Sequence, residues 1–196
     1  MDERPIDATS TVDRRTVLAG AAIAGVGALA GCLGEDDVPD PVSIEDGREC
    51  DNCGMMIAKH PGPVGESFYE ADAGVTDDPE APAQFCSGTC TYAFGFDQAD
   101  AGHESIVTYA TDYSSVDWDL ETSDGETAIS AHLDAEAFAP VTDLTFVGDS
   151  DVEGAMGASL IGFSDADDAD AFVDEHGGDR YEDEDVTREL ISSLMM

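Results

Sequence analysis

Cys50-Asp51-Asn52-Cys53-Gly54-Met55-Met56-Ile57 is the stretch from which the fold can be read. Two cysteines with two residues between them, followed at once by glycine, put two thiolates on a tight turn. The residues through Lys59 predict a knuckle that runs into a short strand. A second pair lies downstream in Phe85-Cys86-Ser87-Gly88-Thr89-Cys90. There Ser87 is placed to cap a helix from Gly88 to about Gln98, so the second pair straddles a helix N-terminus.

Working outward, Glu66–Glu70 and Ala83–Phe85 carry strand patterns, and β-branched and aromatic residues make Ser105–Tyr113 another. Residues 119–126 are acidic and contain Ser-Asp-Gly, which marks a turn or boundary. Beyond it, Thr127–Leu133, Asp143–Val147 and Ala158–Phe163 predict strands. Ser164 is placed to cap a helix from Asp165 to His176, ended by Gly177-Gly178. Ala166, Ala169, Phe172 and Val173 form its apolar stripe. A short strand near Arg180-Tyr181 and a last helix from about Asp185 complete the chain. Strand, strand, helix, strand thus occurs twice. The expected fold class is α+β, with two small ββαβ-type lobes at 48–118 and 127–196.

The N-terminus reads as an address. Asp13-Arg14-Arg15-Thr16-Val17-Leu18 resembles a twin-arginine export motif, and an uncharged apolar segment follows to Ala30. That segment is short for a membrane span, which needs about 20 apolar residues. Leu29-Ala30-Gly31-Cys32 resembles a lipobox, in which Cys32 is lipidated and becomes the mature N-terminus. Residues 1–31 are therefore expected to be removed, and the protein to sit on the outer face of the cell membrane. Residues 32–47, rich in Asp, Glu, Pro and Gly, read as a disordered acidic tether.

Charge excludes some partners. With 45 acidic residues against 7 Lys and Arg, the formal net charge is −38. No basic patch is available for phosphates, so nucleic acid is not a partner. Self-repulsion of this size calls for a salt-rich medium, where the Debye length falls to about 3 Å at molar salt. The source is thus expected to be a halophile.

Cys50, Cys53, Cys86 and Cys90 admit three uses: a metal site, structural disulfides favoured by export, or thiol–disulfide exchange at Cys50 and Cys53. The exchange reading wants CxxC at the start of a long helix, whereas Gly54-Met55-Met56-Ile57 reads as a turn into a strand. The neighbours favour a soft metal. Met55 follows the knuckle, and thioether with thiolate suits copper(I), whereas zinc has little use for Met. Met156 lies in the glycine-flanked segment Gly154-Ala155-Met156-Gly157 and is a second thioether candidate. Met195 and Met196 are terminal and are not expected to be ligands. His103 and His132 read as loop and strand-end residues. His60, just past the knuckle, and His176, at a helix C-terminus, are the histidines to test.

The knuckle resembles the CxxCGM motif of the NosL-type copper chaperones, accessory lipoproteins of nitrous oxide reductase. Met156-Gly157, Leu160-Ile161-Gly162-Phe163 and His176-Gly177-Gly178 follow in that family's order, so the likeness spans about residues 48–182. It implies a membrane-tethered, non-enzymatic copper(I) carrier that serves a client copper enzyme. By motif match it implies Cys53, Met55 and Met156 as ligands, with Cys50 beside them. Phe85-Cys86-Ser87-Gly88-Thr89-Cys90 departs from that pattern and resembles the FCSxxC element of TRASH-type metal-binding domains. Cys86 and Cys90 then either complete a four-thiolate site or form a local disulfide. A zinc-stabilised interaction module and a CxxC oxidoreductase are the readings from other classes, and a homodimer around the metal stays open.

Overall fold

The computed structural model describes residues 38–195. The export segment and Cys32 lie outside the described residues, as does Met196.

The first ββαβ module consists of β1 (Gly65–Tyr69), β2 (Ala83–Phe85), α1 (Gly88–Ala101) and β3 (Ser105–Thr111). Strand β1 is central, antiparallel to β2 on one side and to β3 on the other. Next come β4 (Leu120–Ser123), β5 (Glu126–Ile129) and β6 (Phe138–Pro140), the last of which extends the first sheet by pairing with β3. The second module uses β7 (Thr145–Gly148), with β8 (Val152–Gly154) and β9 (Gly157–Ala158) inserted after it. It continues through β10 (Ile161–Phe163), α2 (Ala166–His176) and β11 (Asp179–Glu182). Here β7 is central, antiparallel to β10 and β11. Both modules therefore run central strand, flanking strand, helix, opposite flanking strand, and the expected α+β class is what the chain adopts. The insertions make a third sheet, β4-β5-β8-β9, and α3 (Arg188–Leu194) closes the chain.

Local chemistry explains the elements. Ser87 accepts a hydrogen bond from Cys90 N at 3.0 Å and caps α1, which stops at Gly102 in the left-handed region (φ +91°). Helix α2 ends at Gly177, also at positive φ. The acidic stretch at 119–126, expected as a turn, is a hairpin instead: Asp124 (φ 57°) and Gly125 (φ 96°) form its two-residue turn between β4 and β5. Asp-Gly favours this turn because both central residues need positive φ. Ser164 does not cap α2. Asp165 does, accepting from Asp167 N, because Ser164 is turned to a partner elsewhere.

That partner is Asp112, just past β3, and it joins the modules. Its carboxylate accepts from Ser164 N (2.9 Å), Ser164 Oγ (2.7 Å) and Ser114 N (3.0 Å) while the residue is only 6% exposed. Tyr113 N donates to Gly162 O at 2.9 Å. A side chain at Gly162 would press on Leu144 and the Thr111 carbonyl, so the close approach needs glycine. Three apolar clusters fill the interior. One surrounds the knuckle, β1 and β2. One lies between α1, β7 and α3. One gathers Tyr113, Ile161, Phe163 and Phe172.

Two further expectations change. Residues after the knuckle do not continue as a strand: Met56 makes a single bridge to Glu49, and Ile57–Lys59 turns as a 3-10 helix that drops Ile57 into the core. Residues 38–47, expected as part of a disordered tether, are docked on the fold instead. Ile44 is buried and its N–H donates to Leu133 O at 2.8 Å, while Pro39 O accepts from Tyr109 Oη at 2.8 Å.

Asp112→Ala strips two backbone N–H groups of their acceptor and is expected to lower unfolding free energy by about 2–4 kcal/mol. Chemical denaturation measures this; a loss below about 0.5 kcal/mol would show that the carboxylate does not latch the modules together.

Candidate metal centre

The knuckle is a closed turn. Gly54 N donates to Cys50 O and Cys50 N to Met55 O, each at 2.8 Å. Gly54 sits at φ +76°, where a side chain would strain the backbone. Asp51 N donates to Gln84 O at 3.0 Å and Asp51 Oδ2 accepts from Gln84 N at 2.7 Å, so the knuckle is clipped to β2. Cys86 follows β2 directly, and Cys90 lies in the first turn of α1.

These elements bring four sulfurs into one cluster. The Sγ atoms of Cys50, Cys53, Cys86 and Cys90 all lie within 4.8 Å of one another. Cys53–Cys86 is 3.4 Å and Cys86–Cys90 is 3.9 Å, and all four are free thiols. A tetrahedral ion with metal–sulfur bonds of about 2.3 Å spans sulfurs roughly 3.8 Å apart, so the cluster matches a single four-coordinate ion. Cys50, Cys86 and Cys90 are buried, and Cys53 is exposed.

The clustered thiols perturb one another's ionisation. Hydrogen bonds from Cys86 and then Cys90 hold Cys50 well below the usual thiol range. Cys86 is pushed up, first by its bond to Cys50, then by Cys90 and burial. Cys90 is pushed up to about 11, chiefly by its bond to Cys50, with its bond to Cys86 opposing, burial adding, and Ser87 and Asn52 opposing more weakly. Cys50 thus favours the thiolate, while Cys86 and Cys90 favour the thiol. Further thiolates need a cation, helped by the amides at the N-terminus of α1.

Met55 and Met156 are partly buried, and both pack against the apolar cluster that contains Cys50, Cys86 and Cys90. Met156 lies in the two-residue turn between β8 and β9. That hairpin presses on Gly62 and Pro63, just beyond the knuckle, so closely that a side chain at Gly154 would meet the Gly62 carbonyl. His60 and Lys59 line a cleft of about 700 Å³ with Glu153, Gly154 and Ala155 of this hairpin. His176 packs at a tilt against Phe172 with ring centroids 4.7 Å apart, and His132 bonds Ser130; neither is among the groups gathered at the cysteines. Met195 is exposed at the C-terminus.

Sequence reasoning missed the residues that hold the knuckle. Arg48 Nη2 donates to Asp51 Oδ2 and Arg48 Nε to Gln84 Oε1, and buried Glu66 accepts from Gln84 Nε2. The one signal was Asp51 between the two cysteines, which has no contrast in so acidic a chain.

Two linked ββαβ modules, the first carrying a four-thiol cluster, define a candidate metal-site domain, and the comparisons with known proteins give its family. The NosL family model matches residues 41–191. The chain is 30% identical over 166 residues to the copper-binding lipoprotein NosL of Stutzerimonas stutzeri, covering 83% of this chain and 76% of that one. It superposes on the crystal structure of the copper chaperone NosL from Shewanella denitrificans with a TM-score of 0.59 and 28% identity, covering 75% of this chain and 95% of that one. This chain belongs to the NosL family.

In the metal-free protein, Cys53 is expected to react with a thiol reagent well ahead of Cys50, Cys86 and Cys90. Peptide mapping by mass spectrometry after a short pulse reads this order. Equal labelling of the four would contradict the burial that distinguishes them.

Proposed function

We propose that this chain carries copper(I) as cargo on the outer face of the cell membrane, anchored through Cys32, and passes it to a client copper enzyme, nitrous oxide reductase by family likeness. It acts as a carrier and not as a catalyst. The observation that carries this proposal is the sulfur cluster: four free thiols within 4.8 Å of one another, three buried and Cys53 exposed, with Met55 and Met156 packed on the same core. Thiolate and thioether together favour copper(I) over harder ions. The copper-binding and chaperone descriptions of the two NosL relatives support the same assignment.

Transfer follows from the asymmetry of the cluster. Cys53 is the ligand that an incoming donor can reach, and Cys50, Cys86 and Cys90 are shielded. A client ligand adds to the metal while Cys53 still holds it, so no free ion forms. Met55 and Met156 offer softer, neutral donors that keep copper(I) bound as thiolates let go. The cleft at His60 and Lys59, beside the Met156 hairpin, is where a client would approach. Anchoring raises the local concentration near membrane partners. The charge of −38 fits a salt-rich exterior, where steering by acidic patches is weak.

A second reading has its own observation. Sulfur spacings of 3.4 and 3.9 Å suit a closed tetrahedral zinc, with no role for Met55 or Met156. Anaerobic copper(I) titration against a chromophoric chelator separates the two. Met55→Leu and Met156→Leu are expected each to weaken copper(I) binding by roughly tenfold, and Cys53→Ser by more. Copper(I) affinity left unchanged by both methionine variants would remove the thioethers from the site, and ready displacement of copper(I) by zinc would favour the structural ion. Because Cys86 and Cys90 hold their protons more tightly than ordinary thiols, metal uptake must release them. Affinity is therefore expected to rise with pH through neutrality, and a flat profile would place the metal on other donors.

A further inference from the structure

Glu66 is fully buried in the central strand β1, yet it is no part of the sulfur cluster. A buried carboxylate is costly unless its oxygens are matched by donors. Both are matched. Oε1 accepts from Val42 N at 2.8 Å, and Oε2 accepts from Gln84 Nε2 at 3.1 Å. Gln84 Oε1 in turn accepts from Arg48 Nε at 3.1 Å, and the same guanidinium holds Asp51 between Cys50 and Cys53. The main chain of Gln84 pairs with Asp51 in both directions, two residues before Cys86. A single hydrogen-bonded row therefore runs from the N-terminal segment to both cysteine pairs.

The row has a parity. Its ends, the Val42 N–H and the Arg48 Nε–H, are both donors. The residues at 66 and 84 must each accept outward, and between them one must donate and the other accept. One carboxylate and one amide satisfy this. Two amides leave a donor facing a donor however they are turned, and two ionised carboxylates leave an acceptor facing an acceptor. The chain has one of the two arrangements that work. Resting on the view that the knuckle binds metal, we propose that Glu66 is a positioning residue for the sulfur site and couples the docked segment at 38–44 to the spacing of Cys50 and Cys53 against Cys86. Ile44, buried in the same apolar cluster as Cys50, Cys86 and Cys90, is the packing side of that coupling.

The test uses the full chain as wild type, Glu66→Gln, the exchanged pair Glu66→Gln with Gln84→Glu, and Val42→Pro, which removes the N–H at the far end of the row. Copper(I) competition, the ultraviolet thiolate-to-copper(I) band, and alkylation of Cys50 in the metal-free chain are read together. Glu66→Gln is expected to weaken copper(I) binding by about tenfold, to alter the band and to open Cys50 to alkylation. The exchanged pair restores all three, because the parity is restored with the charge one residue away. Val42→Pro moves the same readouts in the same direction as Glu66→Gln. The proposal is overturned if Glu66→Gln binds copper(I) like wild type with Cys50 still protected, or if the exchanged pair is no better than Glu66→Gln. A lowered melting temperature with an unaltered band would reduce Glu66 to a scaffold role and also overturn it. If wild type takes up no copper(I), the carrier function falls, and protection of Cys50 in the metal-free variants still decides the positioning row.

Discussion

Four sulfur atoms, three of them buried, share a space small enough for one ion. Such a cluster cannot hold several negative charges by itself, and it cannot relax by turning its thiols to water. The rest of the molecule makes this arrangement sustainable. The helix N-terminus, the Gly54 turn and the clip between Asp51 and Gln84 each fix one part of it. None is stabilising enough alone to bring sulfurs 33 residues apart in sequence to 3.4 Å. Together they hold the four sulfurs within 4.8 Å of one another.

The doubled ββαβ arrangement serves the same end. Each module has a central strand that contacts both neighbours, so each is rigid across its width. The modules meet edge to edge through Asp112 and Gly162, where buried hydrogen bonds add to the apolar cluster that Tyr92 and Phe96 share with Phe146 and Leu160. The β8–β9 hairpin, an insertion in the second module, reaches across to the first and sets Met156 on the apolar cluster that holds three of the cysteines. An inserted hairpin on a fixed frame can change donor type without disturbing the sheets. The exposed ion pairs of Arg188 with Asp97 and Asp100 tie α3 to α1 and contribute little individually, less still in salt.

Much of this was legible in the sequence because it is written in short-range code. Cysteine spacing, Ser87 as a cap, Gly177 after α2 and the alternation of strands with helices all act within a few residues. What escaped was long-range. The segment at 38–46 has the acidic, proline-containing composition of a tether, and no local pattern says that Val42 will meet Glu66, 24 residues away, or that Ile44 will enter the core. Ser164 looked like a helix cap because its competing partner, Asp112, is 52 residues upstream. Glu66 and Asp51 were hidden for a different reason: among 45 acids, a carboxylate with a specific task has no compositional contrast. Asp124-Gly125 is the exception, a local signal for a hairpin that was read only as a turn or boundary.

The docked segment at Val38–Ile44 also sets a length. From Cys32 to Val38 is six residues (38 − 32 = 6), which even fully stretched reach no more than about 20 Å. Under the proposed lipid anchor at Cys32, the folded body would be moored close to the bilayer and would explore a shallow layer above it. A client would then have to come down to the carrier, and those held at the same height would meet it most often.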